Sequence, residues 1–346
     1  MKILQISQYM FFGGGVSFHV MDLAKKISEY EDVEILTFDR QENNVTDAKE
    51  ISRIMEKDPY YEELRKNVEI SEVSLDPDKL SNSLLNKINE ADVVHLHMTL
   101  SFRGLTKMTL LVSQMIDADI FVTVHTSESS RKELDSLHSN FYEILRSQNV
   151  IAVSEAVQKK LESKDIDSDI VQNGVNLDYF SRDNAERNGL LFVGRNVERK
   201  GINAFKQSAR QNNEIQHKFV TNDLDQEIKE LSNTSYKSNL TRSELRKEYR
   251  ESEALVLPSK WGEGLPLVII ESLACGTPVI SSDAPGNRKV LTSEVGRNIE
   301  NIGASDILKA YSEMNLGEMG KNCRERSKNF SLKNKAEKIL EKYKAT

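Results

Sequence analysis

Twice in this chain a short apolar run breaks into a glycine turn and then into a segment of new secondary structure. Lys2 to Ser7 runs into Gly13, Gly14 and Gly15, after which Val16 to Ile27 has helical periodicity; far downstream, Leu190 to Val193 runs into Gly194 and the pattern restarts. A strand that ends in a tight glycine turn and feeds a helix opens a parallel β-α-β unit, and a second opening calls for a second sheet. Further apolar strands are predicted at Val33 to Phe38, Asp92 to Leu96, Ile120 to Val124 and Val150 to Val153, with amphipathic stretches such as Leu80 to Ile88 and Leu134 to Leu145 between them. After the restart come a helix over Ser243 to Ser252, a strand over Ala254 to Leu257, a helix over Leu267 to Cys275 and a strand over Val279 to Ser281. The expected fold class is therefore α/β, with two Rossmann-like doubly wound domains and a boundary in the polar stretch near 176 to 188. Open sheets of this kind bind ligands at the carboxyl ends of their strands, so a site between the two domains is expected.

A chain of 346 residues can supply two cores of about 170 residues each. With 38% hydrophobic and 29% charged residues it reads as folded and soluble. No apolar run approaches the ~20 residues that span a bilayer, and the first twelve residues are broken by Gln5, Ser7 and Gln8 and end in glycines, as a strand does and a signal peptide does not. Cys275 and Cys323 form neither a disulfide framework nor a zinc motif, which suits a reducing cytoplasm. Residues 1 to 175 hold 19 basic against 30 acidic side chains and residues 176 to 346 hold 28 against 24, giving net charges of -11 and +4. Such an acidic first half repels nucleic acid and anionic lipid, while the mildly basic second half suits a phosphate-bearing small molecule.

The most informative segment runs from Pro258 to Pro278. Pro266 suits the first position of a helix and Gly276 its end, so the free N–H groups of the first turn, at Leu267 and Val268, form an anion site together with the helix dipole. Glu263 lies in the preceding loop and Glu271 within the helix. Taken alone, Glu263 is equally well a helix cap and Glu271 a solvated surface charge.

Glu263-x7-Glu271, flanked by Pro258-Ser259, Gly264, Leu265, Gly276 and Pro278, resembles the EX7E signature of retaining GT-B enzymes, glycosyltransferase family 4. In that family the first Glu is near the donor sugar hydroxyls and the second binds the nucleotide ribose. Nearly the whole chain shares the resemblance. Gly13 to Gly15 with His19, Leu23 and Ala24 is similar to the family's GGxxxHxxxLA opening, where glycine backbone approaches the donor phosphates. Asp92 to His97 resembles its DVVHxH strand, and Val122 to Thr126 its TVH strand end. His19 and His95 read as packed residues, His97 stays open between packing and contact, and His125 is implied to touch the donor sugar or its phosphate. These histidines lack metal-ligand spacing, so no metal is expected. Gly194-Arg195 and Lys200-Gly201 match the family's GR and KG pair, whose cations face the diphosphate; a solvated pair of loop cations is the plainer reading. Asn173 to Phe180 resembles the NGVDxxxF junction, and Phe330 to Tyr343 the last helix, which crosses back onto the first domain.

The resemblance implies three segments: 1–176 on the acceptor side, 177–330 binding the donor, and 331–346 returning to the first domain. It further implies retaining transfer of a hexose or N-acetylhexosamine from a nucleotide-diphosphate sugar, with UDP expected, to a hydroxyl acceptor in bacterial surface glycan, glycolipid or glycoprotein synthesis. The acceptor is open among glycan, lipid-linked and protein forms, which leaves room for peripheral membrane contact. Glu263, Arg195, Lys200 and His125 carry the chemistry, and Gly14, Gly15, Gly194, Gly264, Leu265, Leu267, Val268 and Glu271 hold the donor, with no cofactor. Two features depart from the pattern. Pro285 to Lys289 lacks the acidic residue of the family's GGxPE turn, and Gln207 to Asn239 looks short and polar for the usual helix, strand, helix and strand of the base pocket. Nucleotide-sugar epimerisation, phosphorolysis and a non-catalytic partner subunit remain the alternatives.

Overall fold

In β1 (Lys2–Ser7) every residue from Ile3 onward is buried, the pattern of a parallel strand covered on both faces. The computed structural model describes residues 1–7, 14–38, 57–73, 82–98, 119–126 and 142–346. Gly13, most of the expected helix over 134–145, and residues 40–56, 74–81 and 99–115 lie outside the described residues. The chain forms two compact units, Met1–Asn173 with Leu332–Thr346, and Gly174–Ser331.

In the first unit, β1 is followed by β2 (Asp32–Phe38), β3 (Glu69–Val73), β4 (Val93–Met98), β5 (Asp119–Val124), β6 (Asn149–Ala152) and β7 (Asp169–Ile170). They pair in the order β3-β2-β1-β4-β5-β6-β7, and every pairing is parallel. The order reverses between β1 and β4, the switch point at which such sheets leave a crevice at their carboxyl ends. Helix α1 (Gly15–Ile27) follows β1, with Phe18, Met21, Leu23, Ala24 and Ile27 buried against the sheet.

The second unit repeats the plan. Its strands are β8 (Leu190–Val193), β9 (His217–Val220), β10 (Thr234–Lys237), β11 (Ala254–Leu257), β12 (Val279–Ser282) and β13 (Gly296–Ile299), in the order β10-β9-β8-β11-β12-β13. All are parallel, with the switch point between β8 and β11. Between β8 and β11 lie α2 (Ile202–Gln211), a turn of helix at Gln226–Lys229, and α3 (Arg242–Arg250), while α4 (Leu267–Ala274) links β11 to β12. The expectation for 207–239 is overturned, because the full helix, strand, helix and strand are present in compressed form. Two four-residue strands suffice because Phe219, Leu224 and Ile228 join Phe192, Ile202, Phe205 and Val256 in one core.

Val175 bridges to Ser331, and its N–H donates to the Phe330 carbonyl at 2.8 Å, which ties both ends of the second unit together. The chain then forms α5 (Leu332–Ala345), whose stripe Leu332, Ala336, Ile339, Leu340 and Tyr343 is buried at helical spacing. This helix packs on α1, and Lys344 pairs with Glu31 at 3.1 Å. Tyr343 and Lys342 hydrogen-bond His95 and Asp169.

Candidate active site

The loops after β8 and β11 flank the second sheet's switch point, and they converge on Glu263. Lys200 Nζ lies 2.6 Å from its Oε1, Ser259 Oγ donates to the same oxygen at 2.8 Å, and an Arg199 guanidinium nitrogen stands at 3.5 Å. Glu263 is only 7% exposed. Burial pushes its pKa up, but the Lys200 charge and hydrogen bond, with Arg199 and Ser259, outweigh this and hold it below the ordinary carboxylate value. The carboxylate is therefore kept as an anion and an acceptor.

Three glycines enforce the convergence. Gly201 has φ +68°, and a Cβ there would sit 1.8 Å from the Pro258 carbonyl oxygen, so only glycine lets the Lys200 loop pass under the strand end that leads to Glu263. Gly262 has φ +79° and turns the chain between exposed Trp261 and buried Glu263. Gly286 packs its Cα side against the backbone of Glu263 and Gly264, whose carbonyl oxygens a Cβ would approach to 2.5 and 2.2 Å. The departing sequence Pro285 to Lys289 thus supports the glutamate loop from behind. Arg199 and Gly286 are contributors that motif reading passed over, and Ser259, part of the motif, is shown to bond the glutamate itself.

Gly194 ends β8, and its N–H donates to Val220. Arg195 is exposed, and its guanidinium hydrogen-bonds no described residue. Pro266 turns out to be the N-cap of α4, one position before the helix proper. No side chain caps α4 and no acidic residue lies in its first turn, so the N–H groups of Leu267 and Val268 keep their dipole uncompensated. Leu265 and Leu267 are buried beside them and Val268 is half-buried. Gly276, at φ +73°, closes the far end in the left-handed conformation.

Glu271 behaves differently from Glu263. It is 1% exposed, its Oε1 takes a 2.8 Å ion pair from Arg242, and its Oε2 accepts from Tyr249 Oη at 3.0 Å. Both partners belong to α3, so this carboxylate joins α3 to α4 in the interior. The reading of Glu271 as a solvated charge is excluded.

In the first unit, the strand ends at the switch point gather histidines. Gly14 is the N-cap of α1 in extended conformation and Gly15 its first residue; neither has positive φ, and a Cβ on either meets nothing within 4 Å among the described residues. His19, one turn into α1, His97 on β4 and His125 just past β5 come together, with His97 Nδ1 3.4 Å from His125 Nε2 and the His19 ring centroid 4.7 Å from that of His125. Burial foremost, then the Lys335 charge for His19 and His125, lowers these pKa values and keeps the rings neutral. His95 is a packed residue, bonded to Thr123 at 2.7 Å and to Tyr343, and burial brings its pKa to about 3. Lys335 of α5 is buried, its Nζ 3.5 Å from Asn173 Oδ1, and burial lowers its pKa to about 7.

The sequence profile "Glycosyltransferase Family 4" matches residues 13–179, and "Glycosyl transferases group 1" matches residues 180–330. The chain belongs to the GT-B glycosyltransferases of family 4 type. An uncharacterized glycosyltransferase of Methanocaldococcus jannaschii is 26% identical to this glycosyltransferase across 98% of the chain and 96% of the relative. Among solved structures, sucrose-phosphate synthase from Thermosynechococcus elongatus superposes with TM-score 0.77 at 19% identity, covering 100% of this chain and 99% of that one. Anabaena HepE in complex with UDP-glucose does so with TM-score 0.79 at 14% identity over the whole of both chains. Among the described residues of this glycosyltransferase no helix is long and apolar enough to cross a membrane, and both cysteines are buried and unpaired.

Proposed function

We propose that this glycosyltransferase moves a hexose or N-acetylhexosamine from a UDP-sugar to a hydroxyl acceptor with retention of configuration, and that transfer needs no metal. The observation that carries the reading is the Lys200–Glu263 pair beside the uncapped end of α4. A departing diphosphate needs positive charge where its own charge grows. Lys200, the unpartnered guanidinium of Arg195 and the Leu267 and Val268 N–H groups offer that charge in place of a cation. The complex of Anabaena HepE with UDP-glucose supports a uridine donor.

Glu263 holds the donor sugar by accepting from its hydroxyls. A general base works best with a pKa near the operating pH, whereas this carboxylate is pushed the other way, so the donor phosphate takes the acceptor proton. Gly264 and Leu265 shape the wall beside it, and Gly194 leaves room for the phosphates. Each oxygen of Glu271 has a second lone pair, so a ribose hydroxyl donates to it without displacing Arg242 or Tyr249. For Gly14, Gly15 and His125 of the first unit, contact with a donor is the role that the family resemblance implies.

A nucleotide-release screen over UDP-, GDP- and ADP-sugars in EDTA, with water, glycosides and lipid-linked sugars as acceptors, tests the reading. Acceptor-dependent UDP release that Glu263→Ala and Lys200→Ala both abolish supports it. Donor consumption with no acceptor requirement points to epimerisation, and tight nucleotide binding without turnover points to a partner subunit.

A further inference from the structure

His19, His97 and His125 stand on three separate elements, α1, β4 and the end of β5, and the strand order brings them to one point. Each offers a ring nitrogen, and the three atoms lie within 4.8 Å of one another. Sequence spacing argued against a metal because it could not show this convergence.

Two independent observations mark the cluster as a ligand set. First, two imidazole nitrogens on one tetrahedral Zn²⁺, at ~2.0–2.1 Å each, sit about 3.3–3.4 Å apart; His97 Nδ1 and His125 Nε2 are 3.4 Å apart. Second, both ring nitrogens of His19 are buried with no hydrogen-bond partner among the described residues. Buried polar atoms are ordinarily satisfied, and an ion or water accounts for the exceptions. His19 and His97 are 1% and 0% exposed.

We propose that His19, His97 and His125 form a three-histidine site for a borderline transition cation, Zn²⁺ or Co²⁺, with a fourth position left open. His19, whose nitrogen lies within 4.8 Å of the other two, completes the set. Among the described residues, the Lys335 ammonium is the charged group that acts on these rings, and no carboxylate is among them. Three imidazole nitrogens suit nitrogen-preferring metals and not the oxygen-preferring Mg²⁺ and Ca²⁺. Such a metal is an inhibitor and not a cofactor, because it occupies the lone pair by which His125 meets the donor. That second statement rests on the donor role proposed for His125; the site itself does not.

The test is a titration of the full chain, stripped with EDTA, with Co²⁺ at pH 8, above the pKa of Lys335. One equivalent with the visible spectrum of tetrahedral nitrogen-ligated Co²⁺, displaced by Zn²⁺, is expected. His19→Ala and His97→Asn each weaken binding at least tenfold, while His217→Gln, in the second unit, retains it; circular dichroism checks the fold of each. Absence of one-equivalent binding to the parent, or affinity in both cluster variants equal to that of the parent, overturns the site. Transfer is then measured with and without Zn²⁺. EDTA-reversible loss supports the inhibition, and full activity in the zinc-loaded protein overturns the donor role of His125 while the site stands.

Discussion

Gly201→Ala isolates the device that brings Lys200 to Glu263 without altering either charge. The backbone at this position is left-handed, at φ +68°, which costs about 1–2 kcal/mol for an alanine. The new Cβ would stand 1.8 Å from the Pro258 carbonyl oxygen and 2.7 Å from its carbon, both backbone atoms of the strand exit. Ordinary contact at 3.4 Å or more requires the Lys200 loop to retreat by roughly 1.6 Å, and overpacking of this kind costs about 1–3 kcal/mol. The sum, about 2–5 kcal/mol, lowers the thermal midpoint by roughly 4–20 °C for a unit of this size. The retreat also breaks the 2.6 Å contact to Glu263, and a misplacement of about 1 Å removes on the order of a hundredfold in rate. Gly317→Ala is the control, since its Cβ meets Asn315 Oδ1 at 4.0 Å, outside the clash range, and lies in no part of the site. Thermal scanning and a nucleotide-release assay on both variants decide the matter. A Gly201→Ala protein with the midpoint and turnover of Gly317→Ala refutes the reasoning.

Lys335→Met tests the buried ammonium. A lysine with its folded pKa near 7 and an unfolded value of 10.5 destabilises the fold below pH 7, and the penalty is relieved as pH rises from 7 to 10.5, because only the unfolded chain still binds the proton. Parent stability in denaturant titrations should therefore climb between pH 7 and 10, while the variant is more stable at pH 7 by about 1–4 kcal/mol and flat over that window. Arg242→Met strands the Glu271 carboxylate in the interior, and loss of about 3–5 kcal/mol in chemical denaturation is expected, with part of it recovered in the double variant Arg242→Met, Glu271→Leu. A double variant no better than the single one contradicts the ion-pair account.

Local chemistry made much of this molecule legible in the sequence. The apolar runs at Lys2 to Ser7 and Leu190 to Val193 form strands over those same residues, and the stripe of α5 is buried residue for residue. The glutamate loop was also visible, since its glycines and prolines sit at fixed offsets from Glu263. Spatial convergence was hidden. His19 and His125 are over a hundred residues apart and meet only through the order β1-β4-β5. Glu271 reads in the sequence as a ribose ligand or a solvated charge, but its partners, Arg242 and Tyr249, come from a helix whose packing no spacing rule reveals. The strands β9 and β10 were passed over because His217, Lys218, Ser235 and Lys237 dilute four-residue segments whose burial comes from α2 and from the short helix between the strands.

The central claim is that the loops after β8 and β11 hold the donor diphosphate. Isothermal titration of UDP-glucose and UDP into the EDTA-treated parent, Lys200→Ala, Arg195→Ala and Glu263→Ala addresses it most directly. Both ligands should bind the parent saturably without metal. Lys200→Ala and Arg195→Ala should each weaken both ligands by tenfold or more, and Glu263→Ala should weaken UDP-glucose while sparing UDP. Equal affinities across the four proteins would contradict the assignment.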